Sequence, residues 1–577
     1  MNHSSRRIEP NLRLKLEAWR SRTVLVLCLL AFAVLIGRSF YLQALNNDFL
    51  QAKGEARFMR VVTLPAPRGV VTDRNGKPLA ISTPMESVKA NLGEVDADPA
   101  QIAQLARELG MDRAELNAKF NSKDKGEVLL KRFVSPEQAV RVRAMAMPGI
   151  FMNPDFRRFY PASNAAAHVI GITDVNDLGQ EGIELAQQGM LAGSEGQRRV
   201  IKDRKGRIVE DIENMKVPHE GKALKLSIDE RLQYLAHREL KAGVEANKAK
   251  GGALVMLDAK TGEVLALVNQ PDYNPNNRAS WNPKQARNRS VTDTFEPGST
   301  FKPFAVSLAL EAGIVKPETI IITGPGLTIG PKTITDLPHR SDQLSVAEVI
   351  QKSSNIGTAK IALQLPSERL WNLYNDLGFG TAPKTGFPGE ASGRLRAVKN
   401  WKPIEQATMG FGYGVSVSAL QLARAYTIFT NDGVLLPVTF LKRDTDVIGK
   451  QILSARTART MQQMLETVTQ LGGTAQKGQV PGYRVAGKTG TAEKLVNGQY
   501  TEGFYVSSFV GYAPVSNPRY IIAVMIDEPA AAKHFGGDVS APVFSNVMSQ
   551  ALRMSGVPPD APQVREASAA PVAKERG

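Results

Sequence analysis

The sequence has 577 residues, and its 72 Lys and Arg against 56 Asp and Glu give a formal net charge of +16. A hydrophobic content of 42% with 22% charged residues excludes a mostly disordered chain, and the length suits about two to four domains. The single cysteine excludes an intramolecular disulfide framework and cysteine-based zinc or iron–sulfur centres. The positive charge alone does not decide between nucleic acid, membrane and an anionic polymer as the partner.

An apolar segment near the N-terminus, residues 23–45, predicts a single transmembrane helix that contains the lone Cys28. Its first part, residues 23–37, is uncharged, and a helix of this length would span about 34 Å, enough for a hydrocarbon core of about 30 Å. Six basic residues against two acidic ones precede it, so the positive-inside rule places residues 1–22 in the cytoplasm and the rest of the chain outside. A cleaved signal peptide is the alternative, but bulky residues follow the run and the nearby A-x-A triplet, residues 31–33, lies within it.

The exported part divides into two predicted domains and a tail. Residues 46–222 mix short strands and helices and include a helix predicted over residues 96–109, after an Asp/Pro start. Residues 223–228 alternate like a strand, a helix begins at Asp229, and residues 251–270 read as a hairpin with a turn ending at Gly262. We therefore predict a non-catalytic domain at 46–222, a catalytic domain at 223–556 and a mobile Pro/Ala tail at 557–577.

The first chemical motif is S-x-x-K, Ser299 to Lys302, at the start of an apolar helix. A serine at a helix start and a lysine one turn later share a face, and the helix N-terminus favours developing negative charge on the serine oxygen. A desolvated lysine beside another cation can lose its proton and act as a base. Pro303 cannot donate the bond that would reach the Ser299 carbonyl, so we expect an irregular first turn.

Two further motifs follow in order, S-x-N at Ser353 and Asn355 and K-T-G-T at residues 488–491. The hydroxyl and amide of S-x-N could bridge the lysine base to the leaving group and orient a substrate amide. Lys488 precedes two strand-like runs, residues 505–512 and 520–527, so we expect it on a strand where Gly490 lets a substrate backbone approach. Lys488 with the hydroxyls of Thr489 and Thr491 can hold a carboxylate, and the Thr491 amide can complete an oxyanion hole.

Each motif has chance matches elsewhere, which we predict to be structural. A second S-x-x-K lies in a charged stretch, a second S-x-N lies upstream of the nucleophile, and two further K-T-G triplets lie in a hairpin turn and a loop: Ser122 and Lys125; Ser280 and Asn282; residues 260–262; residues 384–386. Only the matches at 299–302, 353–355 and 488–491 have both the order and the predicted elements. Neither a metal nor a cofactor is expected.

The ordered motifs resemble those of penicillin-binding proteins and serine β-lactamases. The resemblance implies that Ser299 is acylated, that Lys302 is its base and that Ser353 relays protons. It implies that Asn355 orients the peptide and that Lys488, Thr489 and Thr491 hold its terminal carboxylate, with the amides of Ser299 and Thr491 as the oxyanion hole. Residues 68–76, 157–174 and 182–184 resemble the pedestal motifs of class B penicillin-binding proteins, as do residues 410–426 and 536–544 downstream. His534 and Phe535 stand where the family often has two aromatic residues.

The class B resemblance implies an α+β fold: a transmembrane helix, a mixed α/β pedestal of the dimerisation type, and a transpeptidase domain with a five-stranded antiparallel sheet flanked by helices. The sequence of residues 171–184 and the chain length resemble those of the division-specific class B enzymes of Gram-negative bacteria. This group of enzymes cross-links peptidoglycan pentapeptide stems at the septum, is inhibited covalently by β-lactams, and would meet a septal glycosyltransferase and other division proteins in the inner membrane through its helix and pedestal. Nucleic acid is not an expected partner, and the catalytic domain would lie in the periplasm.

Three alternatives remain open from the sequence. An elongation-specific class B transpeptidase shares all the motifs. A serine β-lactamase would need a base for water, and Glu368 and Asn372 have a loosely similar spacing, although we predict an ordinary amphipathic helix there. An inactive scaffold or a β-lactam sensor fits less well, because the motif set is intact and the 22-residue tail is too short for an effector domain.

Overall fold

The computed structural model describes residues 17–49, 59–121, 126–202, 208–336, 341–496 and 499–561. The chain forms two compact units, one of Met1–Pro65, Met85–Asp155 and Glu195–Pro218, the other of Ala66–Pro84, Phe156–Ser194 and His219–Gly577. The units therefore interleave along the sequence, and the boundary between residues 222 and 223 stays a prediction. The predicted mobile tail beyond residue 561, most of the predicted cytoplasmic tail, and the chance match at Ser122 and Lys125 lie outside the described residues.

The N-terminal apolar segment is helical, as the sequence predicts. An α-helix runs over Ala18–Phe40 and continues as a π-helical turn over Tyr41–Leu45. None of the residues in Ala18–Phe40 is buried, and the segment Ala18–Ala44 is long and apolar enough to cross a membrane.

Besides this N-terminal helix, the described residues of the first unit form two small antiparallel sheet segments and three further helices. Met59–Leu64, Gly196–Lys202 and Ile208–Lys216 form one sheet, and Glu127–Val134 pairs with the second half of Pro78–Asn91. The helices are Pro99–Leu109, Arg113–Phe120 and Pro136–Ala144. The predicted helix at 96–109 is confirmed from Pro99 onward. It begins there because the Asp98 side chain accepts a hydrogen bond from Gln101 N at 2.7 Å and so caps the helix N-terminus.

In the second unit, the pedestal-like motifs meet in a buried ion triad. Arg68 Nε donates to Glu184 Oε2 at 2.5 Å, and Arg158 Nε donates to Glu184 Oε1 at 2.7 Å. Other nitrogen atoms of the two guanidinium groups donate to backbone carbonyls; for example, Arg158 Nη2 donates to Gly69 O at 2.9 Å. All three side chains are at most 1% exposed. The two guanidinium charges therefore depend on the Glu184 carboxylate for compensation, and the carboxylate depends on them.

The centre of the second unit is the five-stranded antiparallel sheet that the resemblance implies. Its order is Val264–Gln270, Gly251–Asp258, Tyr520–Asp527, Gln499–Ala513 and Ala486–Val496, so the last strand is an edge. The predicted hairpin at 251–270 is confirmed, with Val268 paired to Leu254 and Gly262 at φ +69° in its turn. The helices Glu230–Ala246 and Gly536–Met554 pack on the sheet and on each other.

The strand predicted at 223–228 is shorter than expected. Only Leu224–Lys225 is a strand, paired in parallel with Val71–Thr72. The chain changes partner after it, because Leu226 bridges Leu441 and Ser227 N donates to Phe440 O at 2.8 Å.

A helical layer surrounds the apolar helix Lys302–Glu311, whose residues 302–309 are all buried. Its neighbours are Val346–Gln351, Asn355–Leu363, Ser367–Asp376, Pro403–Gly410, Thr427–Thr430 and Ala455–Glu466. The helix Ala419–Ala425 packs on the strands Gly251–Asp258 and Tyr520–Asp527. Shorter elements complete the unit: helices Ala167–Ile170, Gly182–Ala186, Gln188–Leu191, Pro283–Ala286 and Arg289–Thr292, and the strand pairs Ile320–Ile322 with Gln343–Ser345, Leu327–Ile329 with Lys332–Ile334, and Val434–Leu435 with Lys450–Gln451. The strand Ile150–Phe159 belongs to the first unit up to Asp155 and to the second from Phe156.

Candidate active site

The nucleophile turn, which we define as Gly298–Phe301, is a 3₁₀ turn that precedes the helix Lys302–Glu311. The irregular start predicted from Pro303 is therefore confirmed. Gly298 has φ +53° and donates its N–H to Gly412 O at 3.1 Å, a conformation that favours glycine. Ser299 is partly exposed, and its flanking residues Gly298 and Thr300 are buried, so the turn presents Ser299 to solvent on a fixed backbone.

Buried aromatic residues pack against the nucleophile turn on its protein-facing side. The Phe301 ring is fully buried, with its centroid 4.6 Å from that of Phe379 and 4.9 Å from that of Tyr374. Tyr426 donates its buried hydroxyl to Thr300 O at 2.8 Å. These contacts hold the backbone that follows Ser299 rigidly.

Lys302 joins the first two motifs. Its side chain is completely buried, and Nζ donates to Ser353 O at 2.6 Å, to Asn355 Oδ1 at 2.7 Å and to Ser353 Oγ at 3.2 Å. S-x-x-K and S-x-N therefore come together as the sequence predicts. A buried amine that touches the Ser353 hydroxyl can exchange protons with it directly.

The loop that carries the second motif is held by Asp336, which the sequence analysis missed. Asp336 Oδ1 accepts hydrogen bonds from Asn355 N at 2.5 Å and from Ile356 N at 3.2 Å, and Oδ2 accepts from the Ser354 hydroxyl. Ser353 has φ +60°, an unfavourable backbone region for a residue with a Cβ. The Asp336 carboxylate therefore stabilises both the strained loop and the N-terminus of the helix Asn355–Leu363.

The third motif lies on a strand, as predicted, and this strand, Ala486–Val496, is at the edge of the sheet. Lys488 is completely buried, with Nζ 3.4 Å from Thr489 O. The Thr489 hydroxyl is 2.8 Å from that of Thr474, and Thr491 Oγ1 accepts a hydrogen bond from Gly536 N at 3.0 Å. Both threonine hydroxyls are thus fixed in position beside the cleft.

Gly490 has a packing role that the sequence did not reveal. A Cβ there would lie 2.8 Å from Pro297 O and 3.0 Å from Thr300 Cγ2, and would also collide with Ser508 Oγ. The glycine therefore allows the edge strand to pack against the nucleophile turn. The structure does not place Gly490 on the cleft surface, so its assignment to substrate binding stays a prediction.

Residues of all three motifs line one cleft of about 730 Å³. Five predicted site residues line it, namely Ser299, Ser353, Asn355, Thr489 and Thr491, while Lys302 and Lys488 lie fully buried near it. Sequence reasoning missed several other lining residues, which are Asp336, Tyr413, Thr474, Gln476, Lys477, Glu493, Tyr505 and Asp538. Tyr413 and Asp538 lie within the segments 410–426 and 536–544 that resemble class B motifs, although neither was singled out as a site residue. The others come from distant parts of the chain and have no motif of their own.

An aromatic wall closes one side of the cleft. The rings of Tyr505 and His534 stack at 4.0 Å with an interplanar angle of 11°, and Phe535 lies 4.4 Å from His534. His534 therefore packs as an aromatic ring at the position where the resemblance implies one.

The chance matches that fall among the described residues lie in structural positions. Residues 260–262 form the hairpin turn, Thr385 donates its hydroxyl to Glu390 in a loop, and Asn282 caps Pro283–Ala286. Glu368 and Asn372 are exposed on the helix Ser367–Asp376. None of these residues lines the cleft.

A serine on a rigid turn, a buried lysine that contacts a second serine, and a Lys-Thr-Gly-Thr edge strand define the class of serine enzymes that react through an acyl intermediate. Residues 252–549 match the penicillin binding protein transpeptidase domain, and residues 63–226 match the penicillin-binding protein dimerisation domain. The chain belongs to the penicillin-binding protein transpeptidase family, as a class B member that carries both domains.

Named relatives agree over nearly the whole length. The probable peptidoglycan D,D-transpeptidase PenA of Neisseria meningitidis is 44% identical over 543 residues, 93% of each chain. The peptidoglycan D,D-transpeptidase FtsI of Escherichia coli K12 is 41% identical over 552 residues, 94% of this chain and 93% of the relative. The apo transpeptidase domain of Burkholderia pseudomallei penicillin-binding protein 3 is 49% identical, with a TM-score of 0.54, and the match covers 58% of this chain and 98% of that one.

Proposed function

We propose that this protein is a serine D,D-transpeptidase that cross-links the peptide stems of peptidoglycan at the division septum and is acylated by β-lactams. The observation that carries the proposal is the contact of the buried Lys302 Nζ with both Ser353 and Asn355, two residues that line the same cleft as Ser299 and Thr491. The relatives named as peptidoglycan D,D-transpeptidases support the substrate, and the relative named FtsI supports the division role.

In the acylation step, Ser299 Oγ attacks the carbonyl carbon of the penultimate D-alanine of a donor stem. Lys302, in its neutral form, accepts the hydroxyl proton as the C–O bond forms. The backbone N–H groups of Ser299 and Thr491 stabilise the oxyanion. The C–N bond to the terminal D-alanine then breaks, and Ser353 relays a proton from Lys302 to the leaving amine.

In the transfer step, an amine of a neighbouring stem attacks the Ser299 ester. Its proton returns through Ser353 and Lys302 to Ser299 Oγ as the C–O bond breaks and the new amide forms. The overall reaction exchanges one amide for another, so no cofactor or external energy source is needed. A β-lactam follows only the first step, because its leaving group stays attached to the acyl group.

Substrate binding rests on the edge strand. An edge strand has unpaired backbone groups along one side, so the donor peptide can add to it as a further strand. Lys488, Thr489 and Thr491 hold the terminal carboxylate, and Asn355 on the opposite wall orients an amide of the stem. The burial of Lys488 makes its charge effective, since little water screens it.

The segment Ala18–Ala44 serves as a single membrane anchor, with the N-terminus in the cytoplasm and the catalytic unit in the periplasm. The septal glycosyltransferase and other division proteins of the inner membrane contact the anchor and the pedestal. The excess positive charge of the exported part suits anionic headgroups and wall polymers better than nucleic acid.

The alternatives differ in specific features. A serine β-lactamase needs a base that activates water at the ester, and Glu368 is exposed on a helix instead of lining the cleft. An elongation-specific transpeptidase would have the same catalytic cleft, so the site chemistry does not separate it from the division enzyme; the FtsI relative favours division.

The test replaces Ser299 by Ala and assays fluorescent-penicillin labelling and septation together. We expect labelling to disappear and filamentous cells to form when the variant is the only copy. Retained labelling would overturn the nucleophile assignment, and normal septation with defective elongation would overturn the division role. Many penicillin turnovers per wild-type molecule, in place of one stable adduct, would favour the β-lactamase alternative.

A further inference from the structure

The edge strand places an acidic residue in line with the two cleft threonines. Successive side chains of a strand point to opposite faces, so Thr489, Thr491 and Glu493 share one face, and all three line the cleft. The strand pairing is regular from Ala486 to Glu493 and shifts only after it, between Glu493 and Lys494. Glu493 is therefore the last regular position of the surface on which the donor peptide lies.

The direction of the bound peptide follows from the site. Its terminal carboxylate lies at Lys488 and Thr489, and its scissile carbonyl lies at the amides of Ser299 and Thr491. The chain upstream of that carbonyl must then extend from Thr491 towards Glu493, about 7 Å further along the strand. Glu493 faces a stem residue that precedes the two D-alanines.

The Glu493 carboxylate is not neutralised by a neighbouring cation. Within the described residues it forms no ion pair. The adjacent Lys494 pairs with Asp527 at 2.6 Å and Glu528 at 2.5 Å, and Lys477 across the cleft pairs with Asp538 at 2.5 Å. Tyr413 fixes the backbone of Glu493 by a hydrogen bond, and burial raises the pKa of this tyrosine to about 12, so it stays neutral.

The cross-linking reaction itself supplies the matching group. The acceptor stem must carry a primary amine, and donor and acceptor are copies of the same stem, so the donor also bears an amine-containing side chain upstream of its D-alanines. We propose that Glu493 is a specificity-determining residue that pairs with the ammonium group of this donor side chain. The inference rests on the proposed function, because it requires a stem peptide in the cleft.

The test compares two peptides that differ only in charge, using the full-length protein in detergent. One is an N-acylated peptide ending in Lys-D-Ala-D-Ala with a free lysine amine, and the other has that amine acetylated. Each peptide competes with fluorescent penicillin for Ser299, which measures binding even when turnover is slow. We expect the peptide with the free amine to block labelling at a concentration about two- to fivefold lower than the acetylated peptide does. The ratio of these two blocking concentrations should fall in high salt.

Two variants change the charge at the site, and a third serves as a control. Glu493→Gln should bring the ratio to about one, and Glu493→Lys should invert it, because the lysine repels the amine. Glu502→Gln removes an equal charge from the exposed part of the strand Gln499–Ala513 and should keep the wild-type ratio. Thermal unfolding checks that each variant is folded.

Equal competition by both peptides in the wild type, or an unchanged ratio in Glu493→Gln, would overturn the role of Glu493 and leave the transpeptidase proposal intact. If neither peptide slowed labelling at any concentration, the donor-binding function and this inference would both fail. Wild-type discrimination that is lost in Glu493→Gln and kept in Glu502→Gln would establish the pairing.

Discussion

Lys302 Nζ lies 2.7 Å from Asn355 Oδ1, although 53 residues separate the two in the sequence. The same nitrogen bonds the Ser353 carbonyl and lies 3.2 Å from the Ser353 hydroxyl, so one buried side chain connects the nucleophile's helix to the loop of the second motif. A change at either end should therefore affect the geometry of both motifs.

Replacement of Lys302 by Met tests the base. The side chains have similar volume, but methionine accepts no proton and leaves Ser353 O and Asn355 Oδ1 without their donor. We expect the rate of fluorescent-penicillin labelling to fall by about 10²- to 10⁴-fold, the usual contribution of general acid–base catalysis, with a stability loss of about 1–3 kcal/mol from the unpaired acceptors. A labelling rate within a factor of three of the wild type would contradict the role of Lys302.

Asp336 is expected to act as a positioning residue for the second motif. Asp336→Ala removes the acceptor for Ser354 Oγ, Asn355 N and Ile356 N, so the strained Ser353 backbone loses its support. We expect slower labelling and a destabilisation of about 1–3 kcal/mol. Asp336→Asn keeps one oxygen acceptor and should recover part of the labelling rate and part of the stability. Equal defects in the two variants would indicate that the charge of the carboxylate, not its geometry, is needed.

The elements that carry the motifs could be predicted because their signals are local. The irregular turn at Ser299 followed from Pro303, and the strand at Lys488 followed from the apolar runs after it, although its edge position did not. The strand at 223–228 was predicted too long, because Leu226 and Ser227 take partners near residue 440 that alternation does not reveal.

Contacts between distant segments could not be predicted in this way. Asp336 follows a short hairpin and has no motif of its own, and Thr474 contacts Thr489 from a loop. Arg68 and Glu184 lie in motifs that the resemblance marks, yet their ion pair joins residues 116 positions apart. For Gly490 the local pattern suggested close approach of a substrate backbone, but it did not reveal that the nucleophile turn packs where a Cβ would lie.

The triad of Arg68, Arg158 and Glu184 should be essential to stability. Glu184→Gln leaves two buried guanidinium groups without a counter-charge, which we expect to cost about 3–5 kcal/mol of unfolding free energy. The exposed pair of Lys450 and Asp376 provides the control, because water screens it, and Asp376→Asn should have a much smaller effect. Thermal unfolding of the two variants beside the wild type makes the comparison, and similar losses in both would contradict the account of the triad.

His168 should make the second unit sensitive to acid. Its ring is buried, Nε2 lies 2.7 Å from Gln285 O, and burial lowers its pKa from 6.5 to about 4. As the pH falls from 6.5 to 4, the unfolded chain binds a proton at this position while the folded chain does not, so stability is present above pH 6.5 and is lost on acidification. The loss attributable to His168 is at most about 3 kcal/mol. His168→Gln keeps a donor for the Gln285 carbonyl but cannot titrate, so its stability should fall less steeply over this interval when both proteins are unfolded at a series of pH values. Parallel curves for the variant and the wild type would show that His168 is not the group responsible.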